Sequence, residues 1–514
     1  MKIILNSTPC KILIIIAASM MLAQCSLEKQ KIEINYLNQK PPGMEAKLFA
    51  PGIISTDFYE HSAPAFSPDG TIVLWTALDS NYKASLKEME FKDGKWSDPH
   101  IPSFADTTAD DYYPSFSPDG KKLYFSSRRK VPAGYPQRNM RIWEVDRLGD
   151  SWGQPVPFDT LVSNGSEAAH SITKNGTMYF SSFLIAHTDW SIRKSEKTNG
   201  HYSESTLLPF NINSAGGEDG PFIAPDESFL IFESMRPEGI DGSVDLYITF
   251  KNKNNQWSVP LNMGSKINSA SGERFPRLSP DGKYLFFGSS RSGINDIYWI
   301  DAAIIDELRN NATTQVIIEN PLGEQILSAL DKENFEGASN LLKQWLNFHP
   351  DHLDAMLIYS NVLRKLNRFS DAEELLTSKI SHWSKNPSFV LEMAVVKFGM
   401  NKNQEAEKLL APILIEGVQQ WTRYKQLAIS TFEMGKFNIS DDYFEKTMAI
   451  ESDQNEYYNR ACAYALIGNK DKAFALLNSA IEKGFNTKTE YEVDGDLTTL
   501  RHDVRWNELL KKLK

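Results

Sequence analysis

The chain has 514 residues, too many for one ordinary hydrophobic core, so two or three domains are expected. With 11% aromatic and 24% charged residues the composition is that of a globular protein, which excludes wholesale disorder. A formal net charge of -11 leaves no basic excess of the kind that neutralises phosphate backbones, so nucleic acid is not an expected partner.

Lys2 and Lys11 flank an apolar run that continues as "ILIIIAASMMLA". Its length suits a signal peptide and is short for a bilayer span. It ends in "LAQCS", which resembles a bacterial lipoprotein signal in which Cys25 carries the lipid; Gln24 departs from the small residue usual before that cysteine. The alternative is ordinary signal cleavage and a soluble periplasmic protein. An acylated Cys25 would anchor the chain through buried methylenes at ~0.8 kcal/mol each. With Cys10 leaving in the signal and Cys25 lipidated, only Cys462 remains, so no internal disulfide is expected. Residues 1–24 therefore read as signal and 25–46, which include Pro41-Pro42-Gly43, as a polar tether.

From residue 47 the chain repeats itself. "SPDG" at Ser67, Ser117 and Ser279, "TKNG" at Thr173 and "APDE" at Ala224 each precede an apolar strand-like run. The turn positions Asp69, Asp119, Asn175, Asp226 and Asp281 lie 50, 56, 51 and 55 residues apart by subtraction. A period of that size, filled with short strands, is the signature of propeller blades. Proline, Asp or Asn, and Gly are the residues a tight turn selects, so the motif itself reads as a hairpin turn. "IWEVD", "DLYITF" and "DIYWID" read as third strands, and "KWSDP", "SWGQP" and "QWSVP" as fourth strands. The last repeat lacks its fourth strand, and "KLFAPGIIST" at Lys47–Thr56 is an orphan of that type. We expect it to complete the final blade and close a ring of five blades, with six as the alternative.

The repeats "YYPSFSPDGKKLYFSSRR" and "ERFPRLSPDGKYLFFGSSRSGINDIYWI" resemble those of TolB-like propellers of the bacterial envelope, over about 47–303. Eight residues before each turn position stand His61, Asp111, Glu167, Glu218 and Glu273, and ten after it, in three repeats, Arg129, Arg236 and Arg291. Such residues either pair structurally or ring one channel mouth as ligands for a cation or a basic peptide. No G-x-S-x-G elbow is present, against prolyl-oligopeptidase-like chemistry. A lyase or glycosidase using channel acids, or His61 with His170, is the alternative reading. No cofactor or metal is expected.

After a linker at 304–318 the pattern turns helical. Ala338, Ala372, Ala406, Ser440 and Ala473 fall 34, 34, 34 and 33 residues apart, followed four residues on by Leu342, Leu376, Leu410, Phe444 and Leu477. That is the tetratricopeptide period, with a small residue where paired helices approach. Residues 319–484 resemble tetratricopeptide repeats and 485–514 a capping helix. Leu391, Val395, Phe398, Lys425, Ile429 and Phe432 are placed towards a peptide groove, with packing between repeats as the equal alternative. Asn361 and Arg364 match only part of a carboxylate clamp.

The expected protein is thus multidomain, an all-β propeller followed by an all-α tetratricopeptide superhelix. The expected function is that of a non-catalytic, lipid-anchored scaffold for envelope proteins or peptides, on the periplasmic side of the outer membrane, with a carbohydrate-binding or carbohydrate-active propeller as the alternative function and the cell surface or the soluble periplasm as alternative locations.

Overall fold

The hairpin turns repeat in geometry as they do in sequence. In a computed structural model that describes residues 34–79, 83–132, 140–158, 166–184, 189–209, 211–214, 216–236, 239–240, 243–311, 321–415, 420–450 and 454–513, the Ser67, Ser117 and Ser279 hydroxyls donate to Asp69, Asp119 and Asp281 at 2.6, 2.7 and 2.9 Å. The same serines accept the amides of Ile72, Lys122 and Tyr284, which start the next strand. Gly70, Gly120 and Gly282 hold φ of 70°, 70° and 73°, where a side chain is strained. In the fourth repeat Glu227 takes that place at φ 59°.

Each turn joins the two innermost strands of a four-stranded antiparallel blade. The inner strands are Tyr59–Phe66, Asp111–Phe116, Glu167–Ile172, Glu218–Ile223 and Glu273–Leu278, and there are five blades. The fifth takes its outer strand from the N-terminal side, Lys47–Leu48 pairing with Trp299 and Tyr298, so the ring closes. Elsewhere the outer strands lie mostly beyond the expected W-x-x-P segments: Val156–Pro157 and Leu261–Asn262 form the edges, whereas Trp152 sits in a hairpin extension of the third strand. Proline has no N–H for the ladder, so pairing resumes at or after it.

Part of the expected tether belongs to the propeller. Ile34, Tyr36 and Leu37 are buried with Phe49, Phe66, Trp75, Phe286 and Trp299 between the last and first blades, and the Tyr36 hydroxyl donates to Asp281 at 2.7 Å. Part of the expected linker does too: helix Ala303–Asn311 packs Ile304, Ile305 and Leu308 on the fourth and fifth blades, with Arg309 over the Phe250 ring.

Five helix pairs follow: 321–331 with 335–348, 353–365 with 369–377, 387–399 with 403–410, 420–433 with 437–450, and 454–466 with 470–483. Ala338, Ala372, Ala406, Ser440 and Ala473 are each 0% exposed, as close helix approach requires. The cap comprises helix Lys488–Val493, a 3-10 turn and helix Val504–Leu510, burying Leu497, Leu500 and Trp506 against the last pair. Among the described residues no helix is long and apolar enough to cross a membrane.

The superhelix returns to the propeller. Arg193 of the third blade donates to both carboxylate oxygens of Asp331 at 2.6 and 2.9 Å, and Leu207 packs on the core of the first repeats. In the cap, buried Glu490 bonds Asp110 and faces Arg128 of the second blade.

Candidate functional site

The repeated acids build clips inside the blades. Glu273 accepts from the Ser269 amide and hydroxyl at 2.6 Å each, from Ser289 at 2.7 Å and from Arg291 at 2.9 Å. Glu218 accepts from the Ser214 amide at 2.6 Å, Ser234 at 2.9 Å and Arg236 at 3.4 Å. Asp111 accepts from Arg129 at 2.6 Å. Each arginine also lies over two rings of its own blade: Phe125 and Trp143, Phe232 and Tyr247, Phe287 and Tyr298. The three carboxylates are 2%, 0% and 0% exposed, so they fasten strands rather than face an open mouth. Glu167 is buried at the same register, opposite Ser182.

His61 does not occupy the fifth equivalent position. Glu60 pairs with Ala77 as Asp111 pairs with Ser127 and Glu218 with Ser234, because β-bulges in Tyr59–Phe66 add a residue between acid and turn. A count from the turn misses Glu60 by one. This acid has no arginine in its clip, since Asp79 stands at the arginine's place. Its described side-chain donor is Thr56 at 2.8 Å, and burial pushes its carboxyl up to about 8.

The displaced His61 points to the propeller axis. Its Nε2 bonds the Tyr113 hydroxyl at 2.9 Å, and its ring lies 5.0 Å from that of Phe275. Tyr113 and Phe275, from the second and fifth blades, are not ring neighbours, yet their ring centroids are 4.8 Å apart across the axis. Tyr113, Gly220 and Phe275 adopt φ of 54°, 60° and 47°, a strained conformation for the two aromatic residues. Beside them Glu233 accepts the Phe275 amide at 2.9 Å and lies 3.7 Å from Arg274. Burial, with Arg274 and Arg128 nearby, pushes His61 down to about 3, and burial does the same to His170, so both imidazoles are neutral. This end of the axis is plugged by aromatic rings.

On the superhelix, Leu391, Val395 and Phe398 are 3%, 1% and 1% exposed and pack with Leu410, Leu427 and Tyr443. They are inter-repeat core, not groove: helix 387–399 is apolar on nearly all sides and lies between neighbouring pairs. Arg364 bonds Glu392 at 2.8 Å, and Asn361 is half-buried on the same helix. Lys425 bonds Glu456 at 2.5 Å, and Phe432 packs edge-on to Tyr464 beneath Arg460. Of the six positions placed towards the groove, Ile429, 38% exposed, is the one exposed apolar side chain, and Leu466 at 61% and Ile467 at 48% were not anticipated. Leu466 ends the first helix of the last pair and Ile467 follows it. Cys25 lies outside the described residues.

No protein-family model matches the sequence, and no curated protein matches it. Among solved structures, a protein assigned as TolB from Agrobacterium tumefaciens is 20% identical, covering 47% of this chain and 77% of its own, with a TM-score of 0.33. A tetratricopeptide repeat protein from Parabacteroides merdae is 18% identical over 37% of this chain and 77% of its own, with a TM-score of 0.24. A thermostable family-43 glycoside hydrolase is 14% identical over 49% of this chain and 89% of its own, with a TM-score of 0.34. By its own strands and helices the chain is a five-bladed propeller followed by five helix pairs in the arrangement of a tetratricopeptide superhelix.

Proposed function

We propose that the protein is a non-catalytic scaffold of the bacterial envelope, tethered through a lipid on Cys25, that holds protein partners on its propeller and helical repeats. The observation that carries this reading is the plugged axis, where Tyr113 meets Phe275 across the ring while three of the repeated acids are held by arginines of their own blades. A carbohydrate-active propeller needs a pair of carboxylates free to work on one substrate. Of the acids that recur here, Glu218 and Glu273 are bonded to serines and arginines and Asp111 to an arginine instead. Contacts from Arg193 to Asp331 and from Glu490 to Asp110 join the two parts, as suits a platform that fixes the spacing of its partners.

The test is capture of cross-linked partners from envelopes by the full-length protein, compared with Ile429→Glu and Leu466→Glu variants whose thermal stability matches the parent. Loss of the same defined partners in both variants is expected. Unchanged capture by both, or turnover of a polysaccharide by the parent, refutes the reading. Metabolic labelling with a fatty acid, lost in Cys25→Ala, tests the anchor.

A further inference from the structure

Beyond the aromatic plug, towards the hairpin turns, the axis holds one more charge. Arg277 lies two residues past Phe275 on the same inner strand, and reaches from the fifth blade to donate to the Ser115 hydroxyl of the second at 3.0 Å. Those blades are not adjacent, so the guanidinium spans the axis. The blade between them presents Ala65 at this level, four residues before its turn position as Arg277 and Ser115 are before theirs. Arg277 is surrounded by protein yet retains some contact with solvent, and its Nε has no partner among the described residues.

The other axial arginine differs. Arg274 faces Glu233 and Asp219, whereas among the described residues no charged group acts on Arg277, whose guanidinium burial pushes down to about 10. His170, the nearby ionisable group, is neutral and faces the backbone of Ala168 and Tyr124, so it supplies no counter-charge. A buried cation without a counter-charge is costly, and a guanidinium presents a planar fork of donors that fits a carboxylate. One unopposed positive charge matches a singly charged carboxylate better than a phosphate dianion.

We propose that the turn end of the propeller axis is a carboxylate-binding site, in which Arg277 receives the anion beside Ser115 and the aromatic plug forms its floor. The carboxylate belongs to a small organic acid or to the free C-terminus of a peptide. The proposal is independent of the scaffold reading, because Arg277 takes no part in the acid clips or in the Tyr113–Phe275 contact.

The full-length protein is titrated calorimetrically with acetate, succinate, a short peptide with a free C-terminus, and the same peptide amidated, with phosphate at matched ionic strength. Saturable carboxylate binding is expected in the parent, weakened at least tenfold in Arg277→Gln, and the ligand-free Arg277→Gln protein is expected to melt no lower than the parent. Binding of acetate or succinate assigns the small acid as source; binding of the free-ended peptide alone, lost on amidation, assigns the C-terminus. If Arg277→Gln does not fold, Arg277→Lys, which keeps the charge and loses the fork, is expected to bind at least threefold more weakly. Absence of saturable binding by the parent, preference for phosphate, or equal binding by the folded variants overturns the proposal.

Discussion

Glu60 offers the sharpest test of how the blades are fastened. It is 1% exposed, has no arginine in its clip, and its carboxyl is pushed by burial from an ordinary 4.5 to about 8. The folded protein therefore binds a proton at Glu60 that the unfolded chain has released above pH 4.5. The stability this proton supplies is complete below the unfolded value and is lost as pH rises through about 8. At ~1.4 kcal/mol per pH unit the full span is about 5 kcal/mol, and relaxation or water entry brings a realistic loss to about 2–4 kcal/mol. Glu60→Gln keeps the shape and an acceptor for Thr56 but cannot ionise. Urea unfolding from pH 5 to 9, followed by the fluorescence of the tryptophans that include Trp75 of this blade and Trp299 of the fifth, should show the parent falling relative to the variant up to about pH 8 and levelling off above it. Parallel profiles would mean that Glu60 is ionised in the fold, and the argument from its missing arginine fails.

In the clips that do contain arginine, burial still raises the carboxyl, Glu218 to about 7 and Asp111 in the same direction, so their test is removal of the arginine. Arg236→Ala, which leaves Glu218 buried and unpaired, should cost about 3–5 kcal/mol in urea unfolding, and the double change Glu218→Met with Arg236→Met should cost clearly less. Gly220→Ala should destabilise by about 1–3 kcal/mol, since the new methyl meets Phe275 and Glu233 atoms at 3.1 Å from a backbone at φ 60°. Across the junction, a double-mutant cycle of Arg193→Ala and Asp331→Ala should give a coupling of about 1 kcal/mol, modest because Asp331 is 32% exposed; a zero coupling would mean the two parts are not joined there.

How much of this was legible in the sequence follows from how each feature is encoded. The turns and the small helix residues are local and periodic: Ser, Asp and Gly must recur wherever the same hairpin recurs, and an alanine wherever two helices touch. The clip arginines are equally legible, because a fixed offset from the turn places Arg129, Arg236 and Arg291 at the same height on three blades. Strand closure was legible for a different reason, since a missing outer strand in the last repeat has to be supplied from somewhere and Lys47–Leu48 is the spare. Glu60 was not legible by that rule. A bulge adds a residue without changing the hydrophobic pattern, so counting from Asp69 lands on His61.

The axis and the groove were hidden by the same cause, which is that long-range neighbours leave no period in the chain. Nothing near residue 275 announces that its ring will meet that of Tyr113, 162 residues earlier, nor that Arg277 will reach Ser115 over the same separation in sequence. In the helices, a face that points at a groove and one that points at the next repeat share a period, and only the apolar surround of 387–399 separates them. Leu391, Val395 and Phe398 went to the core because both sides of that helix are covered, whereas Ile429 stays exposed one repeat later. A repeat protein writes its scaffold in the residues that recur and its individuality in those that do not. Glu60, His61, Phe275 and Arg277 are all of the second kind, and they converge on the inner strands of the first and fifth blades, beside the seam where the ring closes.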